Sequence, residues 1–600
     1  MNTVPARDAV ADHLKWDLDH IYPDKASWAS DLVKLETAVD ALGEKRGAID
    51  GAQQLFDLLQ QHDDLELLAT KLWWYPGLMH DEDLRNNDIE EQKQQVQLLL
   101  SRAGTESAWV HPAILELTEP VITEWLEKHE GLRLYHFMLT DLFRQQEHVL
   151  DEERETLLSY AGPLGSAPAD TYSMLSTADA QWPTITLEDG EELQLTYAAY
   201  QHLMITGKVQ ADRRKAFDGL YGFFRQHRNT YASLYGAVCH RDWFQARSRD
   251  YATTLDAALH GNAIPAAVVE NLVASTRDTL APLHRYQRLR KEVLGLDSYH
   301  LYDGMVPLLE DSARFDWDSA KGEVIDSVAP LGADYQERMR GAFDGGWIDV
   351  SETEGKRSGA YSAPVYGVHP YVLLNYKETR SDLFTLAHEM GHSLHTVYSH
   401  ESQPYCYSQY TIFVAEVAST LNEGLLLAHL LEKIEHPRER ALLLQHAIDS
   451  VVGTFYTQVM FADFELQAHR AVEEDQPVTA DSLDAIYQGI LEHYHGDALT
   501  LDEAYRSTWM RIPHLYRSPY YVYQYATCFA SAAMLIPGVL GGDEGAVERY
   551  LGLLKSGGSE HPMDQLRRAG VDLAKPETVG AVAGRLDELV SLLEEALAAV

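Results

Sequence analysis

Three side chains within five residues have the types and spacing of a hydrolytic metal centre: His388, Glu389 and His392, in Ser381-Asp-Leu-Phe-Thr-Leu-Ala-His388-Glu389-Met-Gly-His392-Ser-Leu-His395. On a helix, residues four apart share one face, one turn above the other. His388 and His392 can therefore reach one Zn²⁺, at ~2.0–2.1 Å from each imidazole nitrogen. Glu389 sits beside the first ligand, where its carboxylate can take a proton from a metal-bound water. The bland alternative is two histidines and a glutamate meeting by chance on a solvated helix. The amphipathic surroundings of the motif speak against it.

Catalytic zinc takes three protein ligands and leaves one position for water. His395 stands seven residues beyond His388, a rise of about 10 Å along a helix. It can join a tetrahedral ion only if the helix ends abruptly, so it reads as a packed histidine. Glu416, in Phe413-Val-Ala-Glu416-Val-Ala-Ser419-Thr-Leu-Asn-Glu423, is the better third ligand. Its segment reads as a second helix, folded back through a loop of roughly twenty residues. Its apolar neighbours Val414, Ala415, Val417 and Ala418 argue against a solvated glutamate. Ser419, Thr420 and Glu423 share its face, so one of them is expected to hydrogen-bond a metal ligand.

The elements that must carry these groups are mostly helical. Residues 28–62, 83–104, 120–160, 265–295, 313–343 and 433–472 repeat apolar side chains three and four apart. A further helix is expected from Pro576 to the C-terminus. Ser381 and Asp382 are N-cap candidates for the motif helix. Gly391 inside it costs about 1 kcal/mol relative to Ala, which a close backbone approach would explain. Strand signals are few. Residues 184–187 and 193–195, joined through Asp189-Gly190, read as a hairpin. Residues 366–376 read as a strand just before the motif, with Pro370 marking an edge or a break. A Gly/Pro/Ser/Ala stretch at 162–168 and the hairpin place a boundary near residue 200. A helical part, 1–200, would then precede a catalytic part, 201–600.

Composition narrows the partners. The 600 residues are 45% hydrophobic and 24% charged, the range of a globular chain. A formal net charge of −43 repels nucleic acid and serves solubility. Three scattered cysteines offer neither a disulfide framework nor a thiolate zinc site. The first residues lack the apolar core of a signal peptide, and no apolar run reaches the ~18 residues that span a bilayer. A cytoplasmic protein without a membrane partner is expected.

The run His388-Glu-Met-Gly-His-Ser-Leu-His395, with Glu416 in Ala-Glu-Val-Ala-Ser-Thr, resembles the thimet-oligopeptidase family of zinc peptidases, and within it the oligoendopeptidase F branch. The likeness extends to Trp16-Asp-Leu-Asp-His-Ile-Tyr-Pro23, Gly355-Lys-Arg-Ser-Gly-Ala-Tyr-Ser362, His369-Pro-Tyr-Val-Leu-Leu-Asn-Tyr376, Gly557-Gly-Ser559 and Ala569-Gly-Val-Asp572. The resemblance implies a mainly α, two-lobed, zincin-like body with a deep channel and a small sheet near the active site. It implies one zinc per chain and short peptides as substrates. A further segment, from Arg511 to Tyr525, packs five tyrosines and His514 into fifteen residues. Such groups can donate to the oxyanion of peptide hydrolysis. The family places a histidine and tyrosines of a similar segment over the zinc. His514 and Tyr523 match that pattern best and Tyr520 next. The stretch after His514 is shorter than in mammalian-type members, which leaves Tyr516 and Tyr520 as alternatives for substrate contact. Tyr521 and Tyr525 read as structural. His369 and the strand after it are expected to bind substrate, as an added strand would.

The expected activity is hydrolysis of internal bonds in oligopeptides, with His388, His392 and Glu416 on zinc and Glu389 as base. One rival is a helical metallocarboxypeptidase, which would remove single C-terminal residues. The other is a peptide-binding relative without catalysis, for which Glu389 would have no use.

Overall fold

The computed structural model describes residues 4–47 and 49–600. The chain forms two compact units, each assembled from three segments. The first comprises 1–147, 313–430 and 535–570, and the second 148–312, 431–534 and 571–600. The division therefore differs from the single boundary expected near residue 200. Long-range packing groups distant segments, and local composition carries no trace of that.

The first unit holds the motif. Its core is built by helices Lys25–Glu44, Ala52–Glu82 and Asn87–Ser107, which bury Leu35, Val39, Leu55, Leu72, Leu78 and Val96. The periodic stretch 28–62 is two helices, because the chain turns between Glu44 and Ala52. A three-stranded sheet lies against this core. Its order is β3 (Ile348–Asp349), β5 (Tyr371–Leu373) and β4 (Tyr361–Ala363), with β3 parallel and β4 antiparallel to the centre. The expected strand at 366–376 is thus only three residues long. It begins immediately after Pro370, which has no N–H to pair, and it is central rather than at the edge. Tyr371 and Leu373 join the core of the N-terminal helices.

The motif helix runs Arg380–Ser402. Thr379, not Ser381 or Asp382, caps it: the Thr379 side chain accepts the N–H of Asp382, and the Asp382 carboxylate accepts the N–H of Thr379. This reciprocal pair satisfies two of the helix's orphan donors. Nine residues separate Ser402 from the next helix, Ile412–Lys433, a far shorter return than the twenty residues expected. The turn is held from the C-terminal side of the unit. Gly558 donates its N–H to the Tyr407 carbonyl at 2.8 Å, and Ser399 Oγ donates to the Ser408 carbonyl at 2.6 Å. Gly557, at φ +50°, lies so close that a Cβ there would meet the Tyr407 oxygen at 2.0 Å.

The two helices touch backbone to backbone. A Cβ on Gly391 would stand 2.6 Å from Ser419 Cα and 2.7 Å from the Ala418 carbonyl oxygen. The mid-helix glycine thus trades helix propensity for close approach. Asn422 Nδ2 adds a cross-link to the Ala387 carbonyl at 3.4 Å.

The second unit is helical apart from a two-stranded hairpin, β1 (Thr184–Thr186) and β2 (Glu192–Gln194), antiparallel as its Asp-Gly turn requires. Residues 162–168, expected as a boundary, lie in helix Gly162–Ser173, where Pro163 occupies the first turn that proline tolerates. Helices Pro437–Val451 and Pro576–Ala598 pack together, burying Leu443, Leu444, Val582, Leu586 and Leu593. Among the described residues one helix, Tyr523–Gly541, is long and apolar enough by length and composition to cross a membrane. Its Ala526, Cys528, Ala530 and Ala532 are fully buried, and Gln524, Thr527 and Ser531 interrupt its apolar run.

Gly391→Ala is expected to cost about 1–3 kcal/mol, the range of an overpacked core. The thermal midpoint should fall accordingly, and an unchanged midpoint would show that the helices do not approach as described.

Candidate metal centre

The helix crossing brings three ligand atoms together. His388 Nε2 and His392 Nε2 are 3.1 Å apart, and Glu416 Oε2 is 3.2 Å from the first and 3.4 Å from the second. A tetrahedral ion with bonds of ~2.0–2.1 Å separates its ligands by about 3.3 Å, so the triangle fits one small divalent cation. Of the described His, Cys, Asp and Glu side chains, these form the group able to hold such an ion. Two imidazole lone pairs and a carboxylate converging at this distance repel unless a cation or a proton lies between them. With His388 Nδ1 committed to Glu423, the metal side of that ring is its Nε2 lone pair.

The surroundings set the protonation states. His388 Nδ1 donates to Glu423 Oε1 at 2.6 Å, which fixes tautomer and ring orientation. Ser419 Oγ donates at 3.0 Å to Glu416 Oε2, the oxygen nearest the two imidazoles. Burial favours the neutral forms of His388 and Glu416. For His388 this is outweighed by its hydrogen bonds to the Glu416 and Glu423 carboxylates, which raise its pKa. For Glu416 it is outweighed by His388 and His392, which hold the carboxyl far below its usual range. These shifts show the negative potential that would meet an incoming cation. Glu389 is 7% exposed, and burial raises its pKa against the opposing charges of His388 and His392. A buried carboxylate with a raised pKa beside the candidate ligands is a stronger proton acceptor than an ordinary one.

His395 is not part of this group. Its ring is 1% exposed, stacked 3.6 Å from Tyr410 at 6°, with a pKa pushed down to about 3 by burial. Tyr410 was not singled out by spacing. Its hydroxyl bonds Thr396 at 2.9 Å and reaches the His392 carbonyl at 3.4 Å, bracing the motif helix.

The expected substrate residues fare differently. His369 is stacked on Trp347 at 4.7 Å, with Nε2 on His20 at 2.8 Å and Nδ1 on the Pro370 carbonyl. Both ring nitrogens are engaged, and no contact joins it to the metal ligands. The strand after it is paired on both sides along Tyr371–Leu373, so it offers no edge for an added peptide there.

The aromatic segment belongs to the second unit. Tyr516 is fully buried and stacked 4.0 Å from Tyr172, which makes it core rather than substrate contact. Tyr520 is buried with its hydroxyl 2.6 Å from Thr254 Oγ1, at an unusual φ of +56°, and its N–H bonds Glu465 at 2.7 Å. Tyr523 is 3% exposed. His514 is partly exposed, in parallel alignment with Tyr521 at 5.7 Å and edge-on to Tyr525 at 6.2 Å. The tyrosines beside the accessible histidine are therefore the pair read as structural. A single residue step along the segment turns a side chain from surface to core, and spacing alone does not resolve it. Burial and Arg517 lower the His514 pKa, leaving a neutral ring able to donate.

A helical scaffold that aims two imidazoles and a carboxylate at one point, with a second carboxylate alongside, is that of a metallopeptidase. Residues 203–582 match the profile of peptidase family M3, and residues 114–181 that of the oligopeptidase F N-terminal family. Oligopeptidase PepF of Bacillus subtilis (strain 168) is 35% identical over 598 residues, covering 99% of this chain and 89% of that protein. The crystal structure of a peptidase from Chlamydophila abortus is similar with a TM-score of 0.91 and 31% identity, covering 98% of this chain and 100% of the other. That of oligoendopeptidase-F from Enterococcus faecium gives 0.75 and 30%, covering 95% and 99%. The chain belongs to peptidase family M3 and is a metalloendopeptidase that cleaves oligopeptides.

Glu423→Gln keeps a hydrogen-bonding side chain at His388 Nδ1 but removes the charge behind the ligand. Metal affinity, read by competition with a chelating indicator, should fall about 10–100-fold. Unchanged affinity would contradict the supporting role.

Proposed function

We propose that the chain hydrolyses internal bonds of short peptides at a single zinc held by His388, His392 and Glu416, with Glu389 as general base. The observation that carries this is the 3.1–3.4 Å triangle of ligand atoms beside a buried, raised-pKa carboxylate. Two imidazoles and one carboxylate are a donor set suited to zinc. The ion, when bound, supplies Lewis acidity to a coordinated water and to the scissile carbonyl. Glu389 takes the proton of the attacking water and passes it to the leaving amine. Glu423 holds the His388 ring in the tautomer that presents Nε2, and Ser419 orients the Glu416 oxygen. His514 is proposed as a neutral donor to the oxyanion, on the family pattern and its partial exposure. For Tyr523 the same role rests on the family pattern and runs against its burial.

Glu389→Gln separates base from ligand. The variant should retain one zinc per chain while turnover of a quenched peptide falls by about a hundredfold to ten-thousandfold. Wild-type turnover would remove Glu389 from the reaction. Mass spectrometry of the digests distinguishes the rival carboxypeptidase: internal cuts are expected, and stepwise loss of single C-terminal residues would contradict the endopeptidase reading.

A further inference from the structure

The second unit encloses a cavity of about 500 Å³, well within the range of small-ligand sites. Its walls come from helices Tyr197–Thr206, Gln210–Arg225, Ala281–Val293, Thr457–Glu473 and Ala480–His495, and from the π-helical turn Val452–Tyr456. Single π turns recur at functional sites. Tyrosine dominates the lining, with Tyr200, Tyr221, Tyr286, Tyr456, Tyr487 and Tyr505 all facing it. Ile205 and Met305 also line it and are 45% and 47% exposed, which places them at a rim open to solvent.

The charge of the lining is the unusual feature. Three charged side chains line the cavity: Arg290, Asp449 and Arg511. Asp449 is already committed. It accepts Tyr286 Oη at 2.6 Å and Gln445 Nε2 at 3.1 Å, and it lies 3.6 Å from Arg290 Nη1. Arg290 is 1% exposed, and its remaining N–H groups go to Tyr299, Tyr286 and the carbonyls of Asp303 and Val306. Arg511 has no such complement. Its Nε donates to Tyr221 Oη at 3.2 Å and its Nη1 to Tyr197 Oη at 2.9 Å, with the guanidinium 5.8 Å from the Tyr221 ring centre. No carboxylate among the described residues pairs with it. A guanidinium has five N–H donors in a fork matched to a carboxylate, and only two are used here. In a chain of net charge −43, this cavity keeps one cation unanswered.

We propose that this cavity binds an N-acylated amino-acid carboxylate with an aromatic or apolar side chain, the chemistry of a peptide's C-terminal residue, with Arg511 as its anion clamp. The tyrosine walls take the side chain, by ring contacts that supply apolar area at low entropic cost. An acylated nitrogen suits the site because no carboxylate is left over to meet an ammonium. The proposal stands apart from the zinc reading, since none of these residues is a proposed metal ligand.

The test is isothermal titration of the full-length protein, after metal removal by chelator, with N-acetyl-L-phenylalanine and with N-acetyl-L-phenylalaninamide. The acid should bind with one site per chain, and the neutral amide at least about tenfold more weakly, as loss of a charge-assisted pair implies. Arg511→Met should weaken the acid by a similar factor and leave the amide unchanged. Gly453→Trp tests the same space independently, because a Cβ on this lining glycine meets nothing within 4 Å and starts the new side chain in open space. It should weaken both ligands. Equal binding of acid and amide, acid binding that vanishes with the metal, or full acid affinity in either variant would overturn the proposal.

Discussion

The centre depends on a helix crossing tight enough for backbones to touch. The helix that carries Glu416 lies close against the motif helix, so a short carboxylate side chain reaches the two imidazoles. Gly391 makes that possible by presenting no Cβ to Ser419. Everything about the site follows from this one approach. It sets the candidate third ligand, Glu416, level with the two imidazoles, and puts Glu423 about two helical turns further on, behind His388. The short return between the helices, pinned by Gly557 and Gly558, holds the crossing in register.

A second constraint is electrostatic. Two histidines and three carboxylates are gathered here, and burial penalises the charges of His388, Glu389 and Glu416. The Glu416 carboxyl is held far below its usual range by hydrogen bonds to the imidazoles, while burial raises the pKa of Glu389 against the pull of the same imidazoles. Two carboxylates with opposite shifts suit the separate roles of ligand and base proposed for them.

Much of this was legible in the sequence, for physical reasons that can be named. The one-turn spacing of His388 and His392, the odd glycine between them and the apolar flanks of Glu416 are local features that map directly to helix faces. The Asp-Gly hairpin was legible likewise. What failed was non-local. The capping residue Thr379 lies two and three positions before the expected caps Ser381 and Asp382, because the reciprocal bond with Asp382 decides the start. The two interleaved units have no composition boundary. Tyr516, Tyr520, Tyr521, Tyr523 and Tyr525 are chemically identical in sequence, and only packing tells that Tyr516 is core while Tyr521 lies beside the accessible His514. The cation at Arg511 was likewise hidden, since its lack of a counter-ion is a statement about space.

The most direct measurement is X-ray absorption at the zinc edge on the purified protein. The proposed function predicts one zinc per chain, bound by two imidazole nitrogens and a carboxylate oxygen at about 2.0–2.1 Å, with no sulfur scatterer. A protein that binds no zinc, or a spectrum with sulfur ligands or a single imidazole, would contradict the account.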